Sequence, residues 1–308
     1  MQLRRAAVLD NWFFATTRFL AAGSLLLVAA IFIALFISSW PALREFGFGF
    51  FISSDWDPVF LKFGAFGAIL GTLVTSLIAL ILAVPLALGI ALFITEMAPG
   101  WLKRPIALVI ELMAGIPSII YGMWGLFVLA PLISEWVQPV IQNSVGRISG
   151  LSHVFSGPPL GIGLFTAGVI LAIMIIPLMA SVLQDLLRTV PALLKEAAYG
   201  HGATRFEVIK TVMLPYIRTG ILGSVILGFG RALGETMAVT FVIGNAHGLI
   251  TQLFAPGASI ASVIANEFAE ATGTLYPSSL LALGLILFII TFIVLVCARA
   301  LLNRYKHP

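Results

Sequence analysis

Six long apolar stretches alternate with polar connections along this chain. They cover residues 19–37, 66–94, 106–133, 160–183, 221–243 and 280–300. Each is long enough to cross a hydrocarbon core of about 30 Å as a helix. None shows the period-two alternation of a barrel strand. In hydrocarbon only helices and closed barrels satisfy their own backbone. The pattern therefore predicts an all-α polytopic membrane protein with six transmembrane helices. A membrane domain spans 19–300, preceded by an N-terminal segment, 1–18, and followed by a tail, 301–308.

The connections differ in character. Residues 38–65 hold Trp40, Trp56 and several Phe, a composition suited to an interfacial aromatic belt. Residues 134–159 are rich in Ser, Gly and Pro and read as a surface loop. Residues 244–279 carry Glu267, Glu270 and a short apolar run over 258–265, too short to span. That run predicts a helix lying at the outer face or re-entering it.

The connection at 184–217 is the richest in charge. Pro191 suits the first turn of a helix, where its missing N–H costs nothing. That helix runs through Lys195 and Glu196 and stops near Gly200 or Gly202, residues tolerant of a left-handed cap. Thr204-Arg205-Phe206-Glu207 has the form of a capping box opening a second helix, and Pro215 is expected to end it. Small Ala197 and Ala198 leave a flat surface for another protein. The plainer alternative is an amphipathic loop at the membrane surface.

Composition agrees with the pattern. The 308 residues are 60% hydrophobic and 10% charged, against about 25% charged in soluble domains. The first run is longer than a signal-peptide core of about 7–15 residues and lacks a clear small-x-small site after it, so an uncleaved span is expected. The single cysteine, Cys297, excludes an internal disulfide framework and any multi-cysteine metal site.

The net charge of +4 matters less than where the charges fall. With the N-terminus inside, the inner segments carry Arg4, Arg5, Arg18, Lys103, Arg104, Arg188, Lys195, Arg205, Lys210, Arg218, Arg299, Arg304 and Lys306. The outer ones carry Arg44, Lys62 and Arg147. Thirteen against three places both termini and the 184–217 loop in the cytoplasm.

Three charged residues fall inside apolar runs: Glu111, Arg231 and Glu235. Such residues are expensive in a bilayer and usually face a cavity or a partner. Glu111 lies about two turns from Arg104, where snorkelling or pairing with a base accounts for it. Arg231 and Glu235 are four apart and would share one face of a continuous helix. Gly228, Gly230 and Gly234 around them would admit close backbone approach. Two readings stand: a self-neutralising structural pair, or a gate and anion contact on a translocation path. Arg suits oxyanions because its planar fork binds two oxygens at once.

Two resemblances sharpen these readings. Glu196-Ala197-Ala198, then Gly202, then Leu214-Pro215 resembles the EAA signature of ABC importer permeases, with Val212 where Ile is usual. That resemblance implies a type I importer permease fold whose coupling helices sit in a groove of a cytoplasmic ATPase. Ala114-Gly115-Ile116-Pro117-Ser118-Ile119-Ile120-Tyr121-Gly122 and Ala232-Leu233-Gly234-Glu235-Thr236-Met237-Ala238-Val239, followed by Val242-Ile243-Gly244-Asn245, resemble the permease subunits of phosphate-specific importers, in the C-type form. The resemblance implies a bacterial inner-membrane permease that carries inorganic phosphate, with Arg231 and Glu235 as the charged pair of that passage. It also implies a paralogous permease partner, ATPase subunits that hold ATP and Mg, an extracytoplasmic phosphate-binding protein, and no cofactor in this chain.

No Gly is followed by Lys, so no P-loop exists and ATP hydrolysis is expected elsewhere. The four histidines show no zinc spacing. No G-x-S-x-G elbow is present. Basic residues follow the membrane edge, which gives no nucleic-acid signal. Competing classes are a permease for molybdate or sulfate, a stand-alone carrier or channel, and a membrane-embedded enzyme using Glu111 or Glu235 as acid or base.

Overall fold

The computed structural model describes residues 2–144, 152–249 and 251–305. Arg147 and residues 306–308, with Lys306, lie outside the described residues, as do the side chains of Arg4, Arg5 and Arg304. In chain order the elements are α1 Gln2–Phe46, a hairpin of β1 Trp56–Asp57 and β2 Lys62–Phe63, then α2 Phe66–Met97, α3 Gly100–Ala114, α4 Ser118–Ser144 and α5 Leu164–Arg188. They continue with α6 Ala192–Gly200, α7 Arg205–Tyr216, α8 Arg218–Leu233, α9 Met237–Val242, α10 Ile260–Glu267 and α11 Leu275–Tyr305.

Among the described residues five helices are long and apolar enough to cross a bilayer: α1, α2, α4, α5 and α11. A sixth crossing would have to be assembled from shorter pieces. Helix α8 has 16 residues, about 24 Å at 1.5 Å per residue, and needs α9 to approach bilayer length. The expected continuous helix over 221–243 is therefore two pieces, separated at Gly234–Thr236. The expected span over 106–133 is also corrected. The chain breaks at Gly115–Pro117, so α3 is a separate 15-residue helix and the crossing is α4. Pro117 holds its own φ at −57° with extended ψ, and Ser118 starts a new helix.

Helix α4 continues to Ser144, so the first part of the loop expected at 134–159 is helical. At the other end of the bundle the hairpin, the end of α1, α10 and the start of α11 enclose a second apolar cluster around Phe50, Phe63, Ile260 and Leu283. Trp56 belongs to it. It is buried rather than part of a surface belt, and its indole N–H donates to Glu267 Oε2 at 2.7 Å. Tyr276 donates to the same oxygen at 2.7 Å, and His247 Nε2 lies 2.9 Å from Oε1. Burial pushes the Glu267 carboxyl up, but hydrogen bonds from His247, Tyr276 and Trp56 outweigh it and hold the group below its ordinary value.

The short run at 258–265 does form a helix, α10, buried over Ile260–Val263 and capped by Ser259 and Ser262. The Ile260 N–H donates to Thr72 Oγ1 at 2.9 Å, which seats the start of α10 against α2.

The main core lies between α2 and α5. Helix α2 presents Ala79, Ala83, Ala87 and Ala91, all at 0% exposure, spaced four apart on one face. Small residues let helix backbones approach closely in a membrane, where lipid offers no hydrophobic drive between helices. Helix α5 fills the opposite side with Leu164, Ile170, Leu171, Ile175 and Met179.

Candidate translocation and coupling site

The basic end of the bundle is formed around α6 and α7. Between α5 and α6 only Thr189–Pro191 intervene, with Val190 buried. Pro191 sits at the residue before α6, with φ −58° and ψ 133°, and α6 ends at Gly200. Gly202 follows at φ +83°, a left-handed turn that glycine enters without strain. A Cβ there would meet nothing within 4 Å, so the requirement is conformational rather than spatial.

The capping box that opens α7 is formed as expected. The Glu207 N–H donates to Thr204 Oγ1 at 3.4 Å, and the Thr204 N–H donates to Glu207 Oε2 at 2.7 Å. The second bond is the main reason the Glu207 carboxyl sits below its ordinary value. Pro215 does not end the helix outright. It occupies the last turn, after a widened turn at Ile209–Met213, and the chain bends by 72° into α8. Helix α5 runs to Arg188, so the loop expected at 184–217 begins after it.

The faces of α6 are distinct. Lys195 and Ala198 turn inward and are half-buried, whereas Glu196, Ala197, Leu193 and Tyr199 are exposed. Leu193 is 75% exposed and Phe206 on α7 is 70% exposed, and Leu194 and Tyr199 are exposed beside them, so large apolar side chains face outward here. Val208, Met213 and Ile217 anchor α7 in the core, so this surface is presented by a fixed frame. Leu214 is half-buried and Pro215 exposed.

The second constellation lies at the α8–α9 break. The Gly234 N–H reaches Gly230 O at 3.4 Å, the last turn of α8. Glu235 then turns to the other piece, its Oε1 accepting from the Ala238 N–H at 3.3 Å in the first turn of α9. Each charge is thus served by the interruption. Arg231 stands in the last turn of one helix, where the dipole favours a cation, and Glu235 at the start of the next, where it favours an anion.

The two do not share the face of one continuous helix. Among the described residues no ion pair joins Arg231 to Glu235, and Arg231 is exposed in the single chain while Glu235 is half-buried. The surrounding glycines divide as well. A Cβ on Gly228 would lie 2.7 Å from Met179 Sδ, but Gly230 has nothing within 4 Å and Gly234 only its own helix.

The two motif stretches meet at this point. A Cβ on Gly122 would stand 2.8 Å from Phe241 and 3.0 Å from Ala238 Cα, so α4 and α9 cross backbone to backbone. The Tyr121 hydroxyl donates to Met113 O at 2.8 Å, stitching the α3–α4 break. The broken ends of two membrane segments therefore lie together. Glu111 is not among these groups. It is exposed on α3, outside any spanning helix, and among the described residues it makes no ion pair. Sequence reasoning named Lys195 only as a helix residue and an inner charge and passed over Glu96, whose carboxylate lies 2.9 Å from the Lys195 ammonium, and it gave Tyr121 no role beyond its place in a motif.

Comparison with known proteins agrees with this architecture. Residues 83–307 match the family model described as binding-protein-dependent transport system inner membrane component. In fold the chain is similar to a chain of a bacterial alginate ABC transporter, solved in complex with an alginate pentasaccharide-bound periplasmic protein. The TM-score is 0.60 over 96% of this chain and 98% of that one, at 17% identity. A chain of the MetNI methionine ABC transporter gives 0.56 over 77% of this chain and 94% of that one, at 16% identity. The chain belongs to the binding-protein-dependent transport system inner-membrane family and has the type I importer permease fold.

Within that family, it is 57% identical to the phosphate transport system permease protein PstC of Mesorhizobium japonicum, over 98% of this chain and 92% of the relative. The PstC of Haemophilus influenzae is 54% identical, over 97% and 95%. The probable PstC of Methanocaldococcus jannaschii is 36% identical, over 88% and 87%.

Proposed function

We propose that this chain is a permease subunit that conducts inorganic phosphate through the membrane in an ATP-driven importer. The observation that carries the reading is an exposed arginine at an interrupted membrane crossing, in a chain whose 54–57% identical relatives are phosphate permeases. Arg231 offers the passing oxyanion a cation that is not already consumed by Glu235. Glu235 is two residues past the end of α8, close enough to compete for the guanidinium when the break straightens. A path needs such a site to attract phosphate without trapping it.

The exposed face of α6, with Glu196 and Ala197, and the apolar Leu193 and Phe206 form the surface for an ATPase subunit that holds ATP and Mg. Gly202 sets the turn between the coupling helices, Ala198 seats the first of them, and Leu214 and Pro215 close the second against α8. The chain itself needs no cofactor. Arg231 faces a paralogous permease across a heterodimer interface, and an extracytoplasmic phosphate-binding protein delivers substrate to the opposite end. In this arrangement both termini and the α6–α7 loop are cytoplasmic, in a bacterial inner membrane.

Cells deleted for this chain test the reading. Phosphate uptake should vanish and return when the chain is restored, and excess sulfate or molybdate should not compete. Competition by either anion, or uptake undiminished by the deletion, would reject phosphate as the substrate.

A further inference from the structure

Helix α6 is joined to the transmembrane core by more than its short covalent link to α5. Lys195, the residue just before Glu196, points inward. Its Nζ donates to Glu96 Oε1 at 2.9 Å, across 99 positions of sequence. The side chains are 24% and 18% exposed, so water screens this pair less than a surface one. Glu96 lies in the widened turn Phe93–Met97 that ends α2. Such a turn inserts an extra residue per turn and re-aims the side chains after it.

One residue earlier, the Thr95 carbonyl accepts from Lys103 Nζ at 2.9 Å, which attaches the start of α3 to the same point. These groups line a pocket of about 550 Å³ beneath α6, together with Arg188. Arg188 has its own partner in Asp185 at 3.7 Å, and both are exposed. The inner face of α6 therefore has one charged residue, and it is fastened to the end of α2 rather than to α5.

We infer that the Lys195–Glu96 ion pair is the strut that passes movement of the docking helix to α2, making both residues positioning residues for energy coupling. This inference rests on the reading that α6 docks an ATPase. Residues on the outer face of α6 hold the partner, and Lys195 on the inner face relays its displacement. Ala198 supplies contact but no directional bond. Lys103 extends the relay to α3, whose far end is tied to α4 through Met113 and Tyr121. The strut thus joins the docking surface to the break where Gly122 meets Ala238.

The test uses the complete importer, purified with its partner subunits and reconstituted in liposomes, scoring phosphate taken up per ATP hydrolysed. Lys195→Met and Glu96→Gln should leave the ATPase co-purifying and hydrolysing ATP. The phosphate-to-ATP ratio should fall about fivefold or more, the low end of measured couplings between sites. Lys195→Arg, which keeps the pair, should hold the wild-type ratio, and the reversed pair Glu96→Lys with Lys195→Glu should recover at least half of it. An unchanged ratio in both single variants would overturn the strut. So would a loss of abundance that lowers uptake and hydrolysis in step, because a purely structural bond behaves that way. A reversed pair no better than the singles would overturn it too. If no ATPase accompanies even the wild-type chain, it is the docking reading that fails.

Discussion

The separation of Arg231 from Glu235 is testable by a double-mutant cycle. Two unit charges 4 Å apart attract by about 4 kcal/mol at an effective dielectric of 20. Removing one partner of a buried pair costs roughly 3–5 kcal/mol, because the other charge is stranded. In the structure neither is within ion-pair reach of the other, and each already sits at a favourable helix end. Arg231→Gln and Glu235→Gln should therefore each cost less than about 1 kcal/mol of stability, the scale of one exposed dipole contact. The coupling between them in thermal unfolding should lie below about 0.5 kcal/mol, as for independent sites.

Function should respond differently. A phosphate at 4 Å from the guanidinium loses up to about 4 kcal/mol of attraction when the charge is removed, and 1.4 kcal/mol is already tenfold. Arg231→Gln should cut phosphate uptake at least about tenfold with membrane abundance unchanged, and Glu235→Gln should alter retention or leakage. The assay is labelled-phosphate uptake beside immunoblot abundance for both singles and the double. If each single loses abundance while the double restores both folding and transport, the charges are scaffolding and the translocation assignment is wrong.

Four further outcomes are expected. Gly202→Asp forces a Cβ residue to φ +83°, at a cost of about 1–2 kcal/mol; the spans should insert, but ATPase subunits should no longer co-purify, and normal transport in this variant would break the link to docking. Glu267→Ala leaves the Trp56 indole and the Tyr276 hydroxyl without acceptors, about 1–3 kcal/mol each, so the melting temperature of the purified chain should drop by several degrees. Because the folded Glu267 carboxyl is depressed, its contribution is present above the unfolded value of about 4.3 and disappears as pH falls through the folded value; Glu267→Gln should remove that acid-side loss, and an unaltered acid limb would contradict the assignment. A reporter active only outside the cytoplasm should give signal when fused at Asn143 and none when fused after Pro308, and the opposite pattern would reverse the membrane orientation.

Features set by a few neighbouring residues were legible before any coordinates. Thr204 and Glu207 announce their capping box because both halves lie within four positions, and Gly202 announces a turn because of what glycine alone permits. Hydropathy failed where a break falls inside an apolar run. Gly115-Ile116-Pro117 interrupts 106–133 without lowering its apolar character, so α3 and the start of α4 merged into one span. The expectation that Arg231 and Glu235 share one helix face failed for a related reason. Spacing of four predicts a shared face only on an unbroken helix, and Glu235 spends its carboxylate on the Ala238 N–H instead. Trp56 was placed in a belt because its acceptor, Glu267, is 211 positions away. Glu96 and Lys195 had no local signature at all, since only the packing of α2 against α5 brings them together.

The alanine seam of α2 has a mechanical consequence. Alanine has no side-chain rotamers, so a row of methyl groups at 0% exposure against α5 offers no alternative packing to switch into. Close-packed interiors transmit displacement instead of absorbing it. Helices α2 and α5 are therefore expected to move together, with the breaks at Gly115–Pro117, Ile217 and Gly234–Thr236 as the places for the chain to bend. A permease built this way is expected to open by folding at its joints, with its shaft keeping them in step.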